Sequence, residues 1–177
     1  MDQSAFYGVV AATNFTLLGL WWVAIKDRDD LNGSSGPGRY MAYLVSLQFV
    51  IPAAVSLLAQ VAPDIAAIWR FAFTVAGVLG ALGVALLARQ FARLTDSRIL
   101  PWVFGVLGIP LYLAIALGAV WPGFADALGL ALTPIEFEGL LICLIVILGV
   151  QEAWFVTMTP RRAQSAHPDV VPPPAPR

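Results

Sequence analysis

Five stretches of this chain, at about 5–25, 41–62, 65–88, 99–121 and 134–158, are apolar and long enough to cross a bilayer. A hydrocarbon core roughly 30 Å thick takes about 20 helical residues to span. Inside that medium each backbone N–H and C=O must be satisfied within the protein, so stretches of this length are helices. The expected fold is all-α: a polytopic membrane bundle of five transmembrane helices. Composition points the same way, with 59% hydrophobic and 12% charged residues, where soluble domains carry about a quarter charged. The expected surroundings are the lipid bilayer of a cell inner membrane or plasma membrane.

Most of the charge falls between the spans. "KDRDDLNGSSGPGR" (26–39) reads as a Gly/Ser linker, "RQFARLTDSR" (89–98) as a short charged turn and "WPGFADALGLALT" (121–133) as an apolar connection. No basic region precedes the first span, so it is expected to stay in the mature protein rather than be cleaved as a signal. Basic residues are retained on the cytoplasmic side of a membrane. Lys26, Arg28 and Arg39 follow the first span, Arg89, Arg93 and Arg98 the third, and Arg161, Arg162 and Arg177 the fifth, leaving Arg70 alone on the other side. The N-terminus is expected outside and the C-terminus inside. Tryptophan prefers the headgroup level: Trp21, Trp22, Trp102 and Trp154 map to the inner interface, Trp69 and Trp121 to the outer one. Residues 1–160 form the expected transmembrane domain. Residues 161–177, rich in proline, form an expected disordered cytoplasmic tail.

Catalytic classes fail for want of residues. Cys143 and His167 are the single cysteine and histidine, which removes disulfides within the chain, paired-histidine haem, zinc hydrolysis and Ser/His chemistry. The glycines at 77, 80 and 83 lie in an apolar helix, not in a phosphate loop after a strand. The chain is therefore expected not to be an enzyme and to hold no cofactor or metal. A net charge of -1 offers no basic surface to nucleic acid. Nine arginines to one lysine, with abundant Ala and Gly, suit a GC-rich bacterial genome.

The informative residues are polar ones at membrane depth. Asn14 lies near the middle of the first span, aligned with Tyr7 and Trp21 at heptad spacing. In the second span Gln48, Pro52, Ser56 and Gln60 recur every fourth residue, and Pro52 frees the Gln48 carbonyl from helix bonding, which predicts a kink. The fifth span opens on Thr133-Pro134-Ile135-Glu136, a capping-box spacing with proline in the first turn. Glu138 lies just deeper, placed to reach water or Arg70. Glu152 lies about 9 Å inside the apolar layer, where it must snorkel, pair with Arg89, Arg93 or Lys26, or serve as an ion or proton site. The two carboxylates share a helix face about 21 Å apart with aliphatic residues between them, too far for direct proton exchange.

Small residues mark the expected packing faces. Gly8 and Gly19 lie with Ala5, Ala12 and Thr16 on a stripe of the first span opposite Asn14, so that both faces want neighbours and the span is expected to be central. Gly77, Gly80 and Gly83 surround the third span with small groups, as in a tightly packed interior helix. Two function classes stay open. One is an oligomeric ion or solute channel or transporter, with Asn14, Gln48 and Glu152 as candidate pathway residues; the other is a noncatalytic accessory or scaffold subunit of a membrane complex. Homo-oligomers or partner subunits are expected in either case.

Overall fold

A computed structural model of the protein describes residues 3–32, 36–61, 65–94 and 99–158. Helices α1 (Gln3–Ile25), α2 (Asp29–Asn32), α3 (Pro37–Val61), α4 (Ala66–Leu94), α5 (Ile99–Val120), α6 (Phe124–Ala127) and α7 (Pro134–Met158) follow in order. Among the described residues there is no strand. Five helices, α1, α3, α4, α5 and α7, are long and apolar enough to cross a membrane. The tail at 161–177 lies outside the described residues.

The long helices close into a ring: α1 packs on α3, α3 on α4, α4 on α5, α5 on α7 and α7 on α1, while α3 and α7 also meet across the ring. Antiparallel neighbours follow from short connections, because a chain that has just left the bilayer re-enters beside its own exit. One half of the core joins Tyr7, Phe73, Trp69, Tyr112 and Phe137, with Tyr7 and Trp69 both set edge-on to Phe73. The other half joins Leu18, Trp21, Leu31, Met41, Phe49, Leu87 and Phe91.

Two helices extend beyond their apolar stretches. α3 starts at Pro37 and α4 runs on through Arg89 and Arg93 to Leu94, because a helix leaving the bilayer needs propensity and packing, not hydropathy. Within the segment that reads as a charged turn, Phe91 is buried and the Gln90 amide donates to the Pro37 carbonyl at 3.3 Å. Residues 26–32 of the linker are also docked. Leu31 of α2 is buried, and the Arg28 guanidinium grips the Asp30 carboxylate through two hydrogen bonds of 2.8 Å. Its third donor reaches the Thr157 carbonyl in the last turn of α7, also at 2.8 Å, where a cation suits the helix dipole. The hydrogen bond to Asp30 raises the Arg28 pKa above its ordinary value.

α1 is not central. Its buried residues are Tyr7, Ala11, Asn14, Leu18 and Trp21, one stripe at spacings of three and four. The small-residue stripe faces away from the bundle: Ala5, Ala12, Thr16 and Gly19 are exposed. A Cβ at Gly19 would meet nothing, and one at Gly8 would meet the Gln60 Oε1 at 3.3 Å. The polar-aromatic stripe wins the interior because Tyr7, Asn14 and Trp21 carry groups that hydrocarbon cannot satisfy.

α4 is a wall rather than an interior helix. Its glycine face lies on α5, where a Cβ at Gly77 would stand 2.6 Å from the Tyr112 carbonyl oxygen and one at Gly80 would strike the Tyr112 ring. Gly83 meets nothing, and Phe71, Val78, Leu79 and Leu82 are exposed on the opposite side. α3 continues as one helix through Pro52.

Candidate functional site

The interior of the ring holds polar side chains from four helices. Asn14 of α1, Gln48 and Ser56 of α3, Tyr112 of α5, and Glu138 and Glu152 of α7 are each 2% exposed or less. Their order along the bundle follows from contacts between helices. Gly8 lies against Gln60 and the Trp21 indole donates to the Ala42 carbonyl at 3.1 Å, which fixes the antiparallel register of α1 on α3 and puts Asn14 near the level of Pro52. A Cβ at Gly149 would lie 3.1 Å from that of Gln48, so Gln48 faces α7 one turn from Glu152. Tyr7 donates its hydroxyl to the Ile135 carbonyl at 2.8 Å, at the Glu138 end.

The result is a column: Glu138 beside Tyr7, then Ser56, Asn14, the Gln48–Tyr112 pair, and Glu152. Along the bundle the levels of successive members differ by about one helical turn, roughly 5 Å of rise. Between the levels of the two carboxylates, which only aliphatic residues separate on α7, the other helices supply buried polar groups. Tyr112 donates to Gln48 Oε1 at 2.8 Å, and Tyr112 and Glu152 are close enough to interact electrostatically.

Much of this column is unsatisfied. The Asn14 amide donates to its own helix, at the Val10 carbonyl 2.9 Å away. Its Oδ1, the Gln48 Nε2, the Ser56 Oγ and all four oxygens of Glu138 and Glu152 have no hydrogen-bond partner. The expected pairing of Glu152 with Arg89, Arg93 or Lys26 is thus absent, as is snorkelling to the surface, since Glu152 is 0% exposed. Glu138 is likewise 0% exposed and neither reaches water nor pairs with Arg70, whose guanidinium lies 5.4 Å from the Trp69 ring centroid. Buried polar groups are normally paired, so a run of orphans in one column marks the site.

Room for these groups is built in by glycine. A Cβ at Gly118 of α5 would stand 2.7 Å from Glu138 Oε1, and one at Gly139 3.5 Å from the Tyr7 hydroxyl. A groove of about 250 Å³ between α1 and α7 is lined by Phe6, Tyr7, Glu136, Gly139 and Cys143. Glu136 is at its mouth, exposed, and its carboxylate accepts from the Thr133 N–H at 2.9 Å and the Thr133 hydroxyl at 2.7 Å. Among the described residues no three His, Cys, Asp or Glu side chains come together as a metal site.

Asn14, Gln48 and Glu152, singled out by polarity at depth, fall within the column. Gly19 lies on the outer face of α1, Gly8 lies against Gln60 at the α1–α3 contact, and Gly77 and Gly80 lie at the α4–α5 contact, away from the column's open atoms. Tyr112, the contact of Tyr7 with α7 and the depth of Glu138 are the features that a sequence reading misses. Tyrosine in an apolar span passes for an interfacial aromatic, and only the Ile-Pro two residues before Tyr112 hints at special backbone. Against known proteins the sequence matches no family model, no curated protein and no solved structure.

Proposed function

We infer that the protein is a membrane transport protein, an ion or solute channel or transporter, whose pathway uses the polar column inside the helix ring. The observation that carries this reading is Glu152: enclosed, with both oxygens unpartnered, one turn from an amide–phenol pair on two other helices. A group that merely glues helices is stable because it is satisfied. One left open at a cost of several kcal/mol if charged suits a species that is taken up and released. Asn14 and Gln48 extend the polar surface from Glu152 toward Glu138. The N-terminus is placed outside and the C-terminus inside by the distribution of basic residues.

The test is cation flux through the purified protein in liposomes, wild type against Glu152→Gln. Flux that the substitution abolishes supports the pathway, and absence of any flux from correctly folded wild type removes it.

A second reading, an accessory or scaffold subunit, is favoured by one observation. The α5–α7 face carries an apolar groove of about 670 Å³ in which Gln151 sits among Leu107, Pro110, Leu111 and Leu148, and Gln151 is exposed. An amide turned to lipid lacks partners, so this face suits a protein neighbour, a second copy or a different subunit. Oxidative crosslinking of a Gln151→Cys variant in membranes separates a self-associating protein from one that stays monomeric.

A further inference from the structure

We propose that Glu138 is a proton-binding site at the Tyr7 end of the bundle, loaded through the Tyr7 phenol from the groove beside it, which makes the proton the species that the column handles. The last step rests on the transport reading; the proton site itself does not.

The chemistry follows from what surrounds Glu138. Its carboxyl is wholly enclosed and accepts no hydrogen bond. An ionised carboxylate in such a place has neither solvation nor a counter-charge, and a proton removes that cost where no cation of the protein does. The facing titratable groups are few. α1 contributes Tyr7, which interacts electrostatically with Glu138 and with Cys143 of α7 itself. α5 contributes Gly118, with no charge, and the Arg70 guanidinium of α4 lies over Trp69. Asp126 of α6 is exposed.

A metal cation fits less well. Hard cations take about six or more oxygen ligands, and here one carboxyl stands against Gly118, with the Phe137 ring beside it. A proton needs one carboxyl oxygen.

Access is through a single side chain. The groove between α1 and α7 is lined by Tyr7 but not by Glu138, and Tyr7 is the lining side chain that interacts electrostatically with Glu138. Its hydroxyl sits beside residues 135 and 139, of which 135 precedes Glu138 by three positions, within one turn of α7. A hydroxyl both donates and accepts. Rotated from the Ile135 carbonyl, it takes a proton from hydronium in the groove onto its oxygen lone pair and passes its own proton to the carboxylate. Hydronium becomes water, the carboxylate becomes a carboxylic acid, and tyrosine is unchanged.

The experiment is infrared spectroscopy of the full chain in lipid nanodiscs at neutral pH, reading the carbonyl band of protonated carboxyl groups and its shift on transfer to deuterium oxide. Wild type should show such a band, and Glu138→Gln should remove one component of it. Tyr7→Phe should keep that component and slow its deuterium shift roughly tenfold or more, as loss of a proton-transfer group does. If Glu138→Gln does not fold, Glu152→Gln serves instead, since it should retain the Glu138 component. A band unchanged in Glu138→Gln, or absent in Glu152→Gln, overturns the site, and an unslowed shift in Tyr7→Phe overturns the route.

Liposome flux separates the two readings. Proton flux lost in Glu138→Gln supports the whole proposal, and sodium flux without proton flux overturns the proton as the handled species. No flux of any ion, with the Glu138 band present, retires transport and leaves the proton site standing.

Discussion

The Tyr112 phenol donates to Gln48 Oε1 at 2.8 Å, joining α5 to α3 inside the ring, while the amide nitrogen of the same Gln48 has no partner. One half of that amide is fixed and the other half is open. The bond to Tyr112 fixes the amide, and on the α7 side Gly149 lets Gln48 approach.

Tyr112→Phe keeps the ring and leaves the Gln48 oxygen buried without a donor, which should cost about 1–3 kcal/mol. Replacing both, Tyr112→Phe with Gln48→Leu, removes donor and acceptor together and should recover part of that loss. Thermal unfolding in detergent of the four proteins of the cycle measures it. Additive losses would mean that the two side chains do not act as a pair.

The glycines divide by what stands beside them. Gly77→Ala puts a methyl 2.6 Å from the Tyr112 carbonyl oxygen and 2.7 Å from the Ala116 nitrogen, backbone atoms that cannot swing aside, so α4 and α5 must separate at a cost of about 1–3 kcal/mol. Gly19→Leu meets nothing on the outer face of α1 and should leave the melting temperature unchanged. A loss in Gly19→Leu as large as that in Gly77→Ala would show that this face is covered by another copy or another subunit.

Apolarity and length alone define the five spans, because a bilayer leaves the backbone no alternative to helix. What could not be read is which face of each helix turns inward, since both lipid and a protein interior accept leucine. On α1 two candidate stripes compete, and the sequence shows polarity on one and small size on the other without ranking them. The column was legible one residue at a time. Asn14, Gln48 and Glu152 stand out as polar at depth, but their assembly with Tyr7 and Tyr112 depends on helix neighbours and register, which periodicity within one helix does not encode. The 26–39 segment looks like a bare linker for a related reason: the contact of Arg28 with the Thr157 carbonyl joins residues far apart in sequence.

Topology is open to direct measurement. With Cys143 replaced by alanine, single cysteines at Arg93 and Asp126, both exposed, should differ toward an impermeant reagent applied to intact cells. The position at 126 should label and the one at 93 should not, and the reverse pattern would invert the orientation.

The glutamates of α7 give the sharpest contrast. Glu136 is exposed at the helix start, and its bonds from the Thr133 N–H and hydroxyl can be accepted equally by an amide oxygen. Glu136→Gln should therefore lose at most about 1 kcal/mol, the attraction of a carboxylate to the helix dipole. Glu152 is enclosed and unpartnered, so Glu152→Gln leaves no arginine orphaned and replaces the carboxyl with an amide of nearly equal volume. Its melting temperature should stay within a few degrees of wild type, and neutralising Arg89 or Arg93 in the same variant should restore nothing, because no ion pair was broken. Flux should nevertheless be lost. If Glu152→Gln instead unfolds the protein and Arg89→Gln rescues it, Glu152 is one half of a buried ion pair and the pathway role assigned to it is wrong.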